Sequence, residues 1–243
     1  MKALIFAAGL GERMRPLTDT TPKPLLPVGG KPLIVWHLEK LAAIGIRDVV
    51  INTSWLAHQF SETLGDGRTW GLRLHFCYEG PTPLETGGGV WNAMTLLEYN
   101  EMSTPFIAVN GDIWTDYDFA RLPRDIEYDA HLVLVDNPDH NPKGDFALQP
   151  DGYVASDGAS RLTFAGIGVY RARLFDQWLD VIGENPDSTA SPPRFKLAPL
   201  LRAAMLRGRI RGEHHRGRWT DVGTPERLAE IDRQVRSANE QEP

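Results

Sequence analysis

Cysteine is almost missing from this chain: Cys77 is the one cysteine in 243 residues, so no disulfide can form within it. That excludes a cross-linked secreted scaffold and suits a reducing cytoplasm. Long hydrophobic runs are missing too. The apolar stretch in the opening "MKALIFAAGLGER" is too short for the core of a signal peptide, and no segment approaches membrane-spanning length. Excess positive charge is absent: a net charge of −6 argues against a nucleic-acid-binding surface, which needs clustered Lys and Arg. No clear Ser/His/Asp or Cys/His arrangement offers a covalent nucleophile, and no repeat or low-complexity tract appears. What is left is ordinary globular composition, 42% hydrophobic and 24% charged, expected to form one domain over 1–243.

What is present has a rhythm. Ala3 to Ala8 reads as a buried strand entering a glycine loop. Ile34, Leu38 and Leu41 fall at helical spacing before Gly45, and "DVVIN" follows as a strand. "WLAHQFSETL" (55–64) predicts a second helix with Leu56, Phe60 and Leu64 on one face. "LRLHFCY" (72–78) predicts another strand, and "ETGGGVWNAMTLLEY" a glycine loop that opens a helix. "PFIAVNGD" and "AHLVLVD" add two more strands. Repeated βα units of this kind predict an α/β fold with a mainly parallel sheet. The first 140 residues form the nucleotide-binding half on this reading. Over 141–231 shorter strands, "GDFALQ", "GYVAS" and "TFAGIGVY", predict a small antiparallel addition. "GENPDSTASPPR" (183–194) reads as a mobile loop, and 232–243 as a polar, frayed tail. Trp36, Trp91 and Trp178 read as core packing, and His214-His215, pointing to opposite faces of a strand, as solvated.

The densest signal is "FAAGLGERMRPLTDTTPKPLLPVGGKPL" (6–33). Gly9 and Gly11 after a strand fit the start of a dinucleotide fingerprint, but its third glycine falls on Met14, and the next strand ends "VVINTSW" without an acid. A phosphate P-loop needs Gly-Lys-Ser/Thr, whereas Gly30-Lys31 runs into Pro32. What remains is a loop able to turn backbone N–H groups inward, followed by fixed cations. Arg13 can fork onto phosphate oxygens, and Lys23 is held between Pro22 and Pro24. Asp112 and Asp221 both follow predicted strands, and two such carboxylates can hold one hard cation. Thr224-Pro225-Glu226 then reads as cap, first helical proline and first-turn acid.

The string "AAGLGERMRPLT…TPKPLLPVGGKPLI" resembles the signature of the sugar-1-phosphate nucleotidyltransferases. "PLETGGGVWNA", "VNGDIWTD" and "RWTDVGTPERL" follow in that family's order, so the resemblance covers nearly the whole chain. It implies a three-layer Rossmann-like nucleotidyltransferase domain and Mg²⁺-dependent transfer of a nucleotidyl group from an NTP to a sugar 1-phosphate. "LETGGG", "NGDIWTDYDFARL", "LVLVDNP", "GDFAL" and "FKLAPLL" resemble the branch that uses UTP and N-acetylmuramate 1-phosphate in cell-wall recycling. Hexose-1-phosphate guanylyl or thymidylyl transfer is the alternative, and a non-catalytic nucleotide-sugar sensor is another. Nothing here implies an oligomer.

The resemblance assigns Gly11, Glu12, Arg13 and Lys23 to the nucleotide, with Arg13 and Lys23 catalytic, and Asp112 and Asp221 to the metal. Glu79, Glu85 and Gly88 should border the base, though strand–helix packing explains glycines 87–89 equally well. Asn110 and Gly111 should face the sugar or ribose. The Glu-Lys-Pro that hexose-phosphate members carry is lacking. Its place is taken by "PKGDFAL", with Lys143 and Asp145, and later by Lys196. Asp145 and Lys196 are left open between sugar-phosphate contact and ordinary strand-end and helix-start roles.

Overall fold

The computed structural model describes residues 1–97 and 104–239. In chain order its main elements are β1 (Ala3–Phe6), α1 (Leu33–Ala43), β2 (Asp48–Thr53), α2 (His58–Leu64), β3 (Arg73–Tyr78), α3 (Glu85–Ala93) and β4 (Phe106–Asn110). There follow β5 (Ile113–Thr115), β6 (Ala130–Val135), β7 (Thr163–Tyr170), α4 (Ala198–Leu206), β8 (Ile210–His215), β9 (Trp219–Asp221) and α5 (Pro225–Asn239). Seven strands form one sheet in the order β3-β2-β1-β4-β7-β6-β8. β1 runs parallel to β2 and β4, β2 to β3 and β6 to β8, while β7 is antiparallel to both of its neighbours.

Both faces of this sheet are covered, which is why its five inner strands are largely apolar, while the edge strands β3 and β8 carry polar residues. Ala3, Ile5, Val49 and Ile51 pack under Ile34, Leu38 and Leu41 of α1. Leu4, Val50 and Ala108, one residue out of phase, pack under Val90 of α3 and Leu200 of α4. A third cluster joins Leu228, Ile231 and Val235 of α5 to Met14, Leu26 and Val28 of the opening segment. The late part of the chain is thereby pressed against its signature loop.

Four expectations are corrected. The third short strand, "TFAGIGVY", is no appendage: as β7 it sits in the middle of the sheet, while parts of the other two, Ala147–Leu148 and Val154–Ala155, form a separate antiparallel pair. α2 begins at His58, because Leu56 adopts φ 49 and breaks the helical run there. The 232–239 stretch is helical, with Val235 buried and Asp232 Oδ1 accepting from Gly29 N at 2.8 Å. The 183–194 loop is cross-linked: Asn185 Oδ1 accepts from Asp187 N and Ser188 N, and Arg194 donates to Asp187 Oδ2. Glu98 and Tyr99, the end of the sequence-predicted α3, lie outside the described residues.

The chain leaves β1 towards β2 and β3, but β4 lies on the other side of β1, so the connections diverge between β1 and β4. A crevice opens outside the carboxyl ends of strands at such a point. One buried histidine fixes its rim. His37 Nε2–H donates to Ile113 O at 2.9 Å, just after Asp112, and its ring stacks on Phe119. Burial pushes its pKa down from 6.5 to about 4. The unfolded chain therefore binds the extra proton between those values, so this stabilisation is complete above pH 6.5 and is lost as pH falls towards 4. It amounts to about 3 kcal/mol. In urea unfolding at pH 7.5 and 4.5, His37→Phe should lose less stability between the two conditions than the native chain. An equal loss would remove His37 as the source.

Candidate active site

The crevice floor is a chain of buried polar contacts. Ala7 N, just past β1, donates to Asn52 Oδ1 at 2.8 Å. Asn52 Nδ2 donates to Glu79 Oε1 at 2.5 Å, and Leu84 N donates to Glu79 Oε2 at 2.7 Å. Burial raises the Glu79 carboxyl above its ordinary range, and these two donors oppose that. The ends of β1, β2 and β3 are so tied to the start of α3. Glu79 lines the cavity, yet both of its oxygens already have protein donors.

The three glycines lie inside α3 rather than in a loop before it. Each is close to something else. A Cβ at Gly87 would lie 2.5 Å from the Phe195 ring, at Gly88 2.5 Å from Pro193 O, and at Gly89 2.6 Å from Asn52 and Glu79. Packing accounts for all three, and Gly88 lies against the 193–195 segment rather than on the cavity wall. Glu85 starts the helix at φ 63, and its Oε1 accepts from Arg194 Nη2 at 3.0 Å. Arg194, not singled out in the sequence, also lines the cavity.

That cavity measures about 420 Å³ and is lined by Leu10, Lys23, Asn52, Glu85, Asn110 and Asp112, among others. A second hollow of about 400 Å³ adjoins it, lined by Gly11, Glu12, Arg13, Lys23, Asp112 and Gly223. Lys23 and Asp112 line both. Lys23 opens a tight helical turn between its prolines, is only 9% exposed, and places Nζ 2.6 Å from Asp112 Oδ2. Gly11 takes φ 67 against Thr18, whose Oγ1 donates to Gly11 O at 2.8 Å. Arg13 is exposed and has no hydrogen-bond or ion-pair partner among the described residues.

The two aspartates, far apart in sequence, are brought together by a short ladder. β5 pairs antiparallel with β9, Asp221 opposite Ile113, and Val222 N donates to Asp112 O at 2.7 Å. Asp221 Oδ1 accepts from Arg227 Nη1 at 2.7 Å and lies 2.8 Å from His140 Nε2. Neither Arg227 nor His140 was identified from sequence. Thr224 caps α5 as expected: Arg227 N donates to its Oγ1 at 3.4 Å and Leu228 N to its carbonyl. Asp112 Oδ1 and Asp221 Oδ2 have no protein partner among the described residues. Two hard oxygens, one in the turn before β5 and one at the end of β9, suit a hard divalent cation that takes its remaining ligands from phosphate and water. No group of three or more His, Cys, Asp or Glu side chains that could hold a metal forms among the described residues.

The sugar-side candidates divide. Asn110 lines the cavity, and its amide, next to Gly166, has no hydrogen-bond partner among the described residues. Gly111 packs onto β1, where a Cβ would meet Phe6 O at 2.7 Å. Asp145 is already engaged: Oδ2 accepts from Phe164 N at the start of β7 at 2.9 Å, and Oδ1 from Asn141 Nδ2 of its own loop at 3.2 Å. Lys143 and Lys196 are exposed and line neither hollow. His215 is not solvated as expected. It is buried beside Tyr117, with Nε2 2.8 Å from Asp116 Oδ1, while His214 on the other face meets Asp136.

A glycine loop with fixed cations and two carboxylates at a sheet's switch point define a crevice of the class suited to anionic ligands. The comparisons narrow that class: residues 2–163 match the nucleotidyl transferase family, and the chain belongs to it. It is 48% identical over 239 residues to the N-acetylmuramate alpha-1-phosphate uridylyltransferase of Neisseria meningitidis serogroup B, covering 95% of this chain and 96% of that one. It is 38% identical over 236 residues to a mannose-1-phosphate guanylyltransferase of Mycobacterium tuberculosis, covering 92% of this chain and 61% of the relative. A crystal structure of a Bacillus anthracis protein, provisionally assigned as a glucose-1-phosphate thymidylyltransferase, shares the fold. Its TM-score is 0.78 at 21% identity, over 97% of this chain and 95% of that one. No helix among the described residues is long and apolar enough to cross a membrane.

Proposed function

We propose that this protein transfers the uridylyl group of UTP to N-acetylmuramate 1-phosphate, releasing pyrophosphate, in cell-wall recycling. The observation that carries this reading is the near full-length likeness to a uridylyltransferase with that acceptor, 48% identical, combined with Lys23 paired to Asp112 in the crevice and the ladder that sets Asp221 beside it. The acceptor is a phosphate monoester, already ionised near neutral pH, so its oxygen attacks the α-phosphorus without a general base. The new P–O bond forms as the α–β bridging bond breaks, and the electron pair leaves with pyrophosphate. The protein's task is positioning and charge. The larger hollow takes the nucleoside, with Asn110 towards its sugar, and the adjoining one takes the phosphates. Arg13 forks onto them and Lys23 meets the transferring group. Asp112 and Asp221 hold Mg²⁺, which when bound neutralises charge on the transferring phosphoryl oxygens.

The location we assign is cytoplasmic, in keeping with Cys77 as a free, buried thiol. The mannose-1-phosphate guanylyltransferase likeness supports the second reading, hexose-1-phosphate guanylyl or thymidylyl transfer. Pyrophosphate release, measured for four NTPs against a panel of sugar 1-phosphates, separates the two. UTP with N-acetylmuramate 1-phosphate should exceed every other pair by about tenfold or more, roughly 1.4 kcal/mol of discrimination. Preference for GTP or dTTP with a hexose phosphate would establish the second reading. No turnover with any pair would point to a sensor.

A further inference from the structure

Asp112 and Asp221 share one arrangement. Lys23 occupies Oδ2 of Asp112, and Arg227 with His140 occupies Oδ1 of Asp221. The other oxygen of each carboxylate has no protein partner among the described residues. Asp221 is closely flanked by Gly223, Arg227 and His140. Gly223 leaves room for it: a Cβ there would lie 2.1 Å from Arg227 Nη2 and 2.9 Å from Asp221 Oδ2. Arg227 itself is part-buried, with 22% of its side chain exposed, and its buried Nε has no partner. Nη1 touches Asp221 and also lies 2.8 Å from His140 Nδ1. One guanidinium therefore links the end of β9, the first turn of α5 and the loop after β6.

We propose that Arg227, backed by His140, is a positioning residue for the metal: it fixes Asp221 through Oδ1 so that Oδ2 is presented to the cation. The proposal rests on the two-aspartate reading above. A carboxylate on a short strand is free to rotate about its own side-chain bonds. Anchoring one oxygen removes that freedom and selects the other as the ligand. Hydrogen-bond partners behind a ligating carboxylate commonly govern metal affinity by 10- to 100-fold, about the same scale as a ligand's own orientation. Arg227 reaches Asp221 Oδ1 from the helix and His140 reaches the same oxygen from the loop after β6, each also touching the other, so the two hold it jointly. Arginine's planar fork suits a shared contact better than a lysine ammonium does.

The test titrates Mn²⁺ by electron paramagnetic resonance at fixed concentration of a UTP analogue with a non-hydrolysable α–β bridge, and so needs no turnover. Arg227→Met should bind Mn²⁺ about tenfold or more weaker, Arg227→Lys should fall between it and the native chain, and His140→Phe should lose less than Arg227→Met. In turnover assays Arg227→Met should recover much of kcat as Mg²⁺ is raised, while KM for UTP at saturating Mg²⁺ changes little. A thermal melt of each variant separates this from unfolding, and His140→Phe carries the test if Arg227→Met does not fold. Native Mn²⁺ affinity in both variants would overturn the proposal. Asp221→Asn is the internal control. If it too binds Mn²⁺ normally, the two-aspartate reading is what has failed; if it alone loses binding, only the role of Arg227 and His140 is lost.

Discussion

Asp112→Asn and Asp221→Asn should each lower kcat by about a thousandfold or more while the fold survives, on the scale of several kcal/mol that a metal supplies to phosphoryl transfer. The asparagine keeps the shape of the side chain, so what is lost is charge on an oxygen ligand. The backbone that joins the two sites is untouched: Val222 N still donates to Asp112 O, and Asp221 still faces Ile113. Asp112→Asn has one added cost, because Lys23 is buried against Oδ2 and loses its ion pair. Its melting temperature should therefore fall more than that of Asp221→Asn, where Arg227 is more exposed than Lys23. Steady-state kinetics over a Mg²⁺ series, with a thermal melt of each variant, measures both effects. Native-like turnover in either variant, or in the native chain with excess chelator, would remove the two-aspartate site.

The second large effect belongs to Lys23. Its position between Pro22 and Pro24 predicts a lysine aimed at phosphate, and the structure shows the ammonium on Asp112 at the boundary between the two hollows. From there it can reach a phosphate in either hollow. Lys23→Ala should cost about a hundredfold or more in kcat/KM, the scale of one preorganised charge contact. Lys23→Arg keeps the charge, yet a planar fork does not fit a slot that leaves the native side chain only 10% exposed. It should retain more activity than the alanine variant but lose most of it. Pro22→Ala should cost less than either, through looser aim of the same lysine. Near-native kinetics in all three would make Pro-Lys-Pro an ordinary rigid turn.

Residues whose chemistry follows from local backbone were readable early. Gly11, the proline pair around Lys23, and acids just past apolar strands announce a loop, an aimed cation and a carboxylate at a strand end. Long-range neighbours were not. Nothing in "ETGGGVWNA" reveals that Phe195, Pro193 and the Asn52–Glu79 pair are what exclude side chains at Gly87, Gly88 and Gly89. "TFAGIGVY" looks the same whether it lies at an edge or, as here, between β4 and β6, because a fully buried strand carries no mark of its direction. His140 and Arg227 sit in polar stretches and read as solvated until Asp221 is placed beside them. A signal was available for the tail: Leu228, Ile231 and Val235 keep helical spacing into 232–243, and Val235 is buried under Gly29.

The insertion of β7 between β4 and β6 has a bearing on how the protein is made. A growing chain that has produced β1 to β4 has Lys23 and Asp112 in place, but β4 then ends in an unpaired edge, a template for aggregation until β7 arrives. Asp221 comes later still, and it reaches Asp112 only once β9 has zipped onto β5. Closing such distant pairs is slow relative to helix formation. The contact order therefore predicts that the acidic pair is among the last features to assemble, so that in a refolding experiment recovery of activity should lag behind recovery of helical circular dichroism.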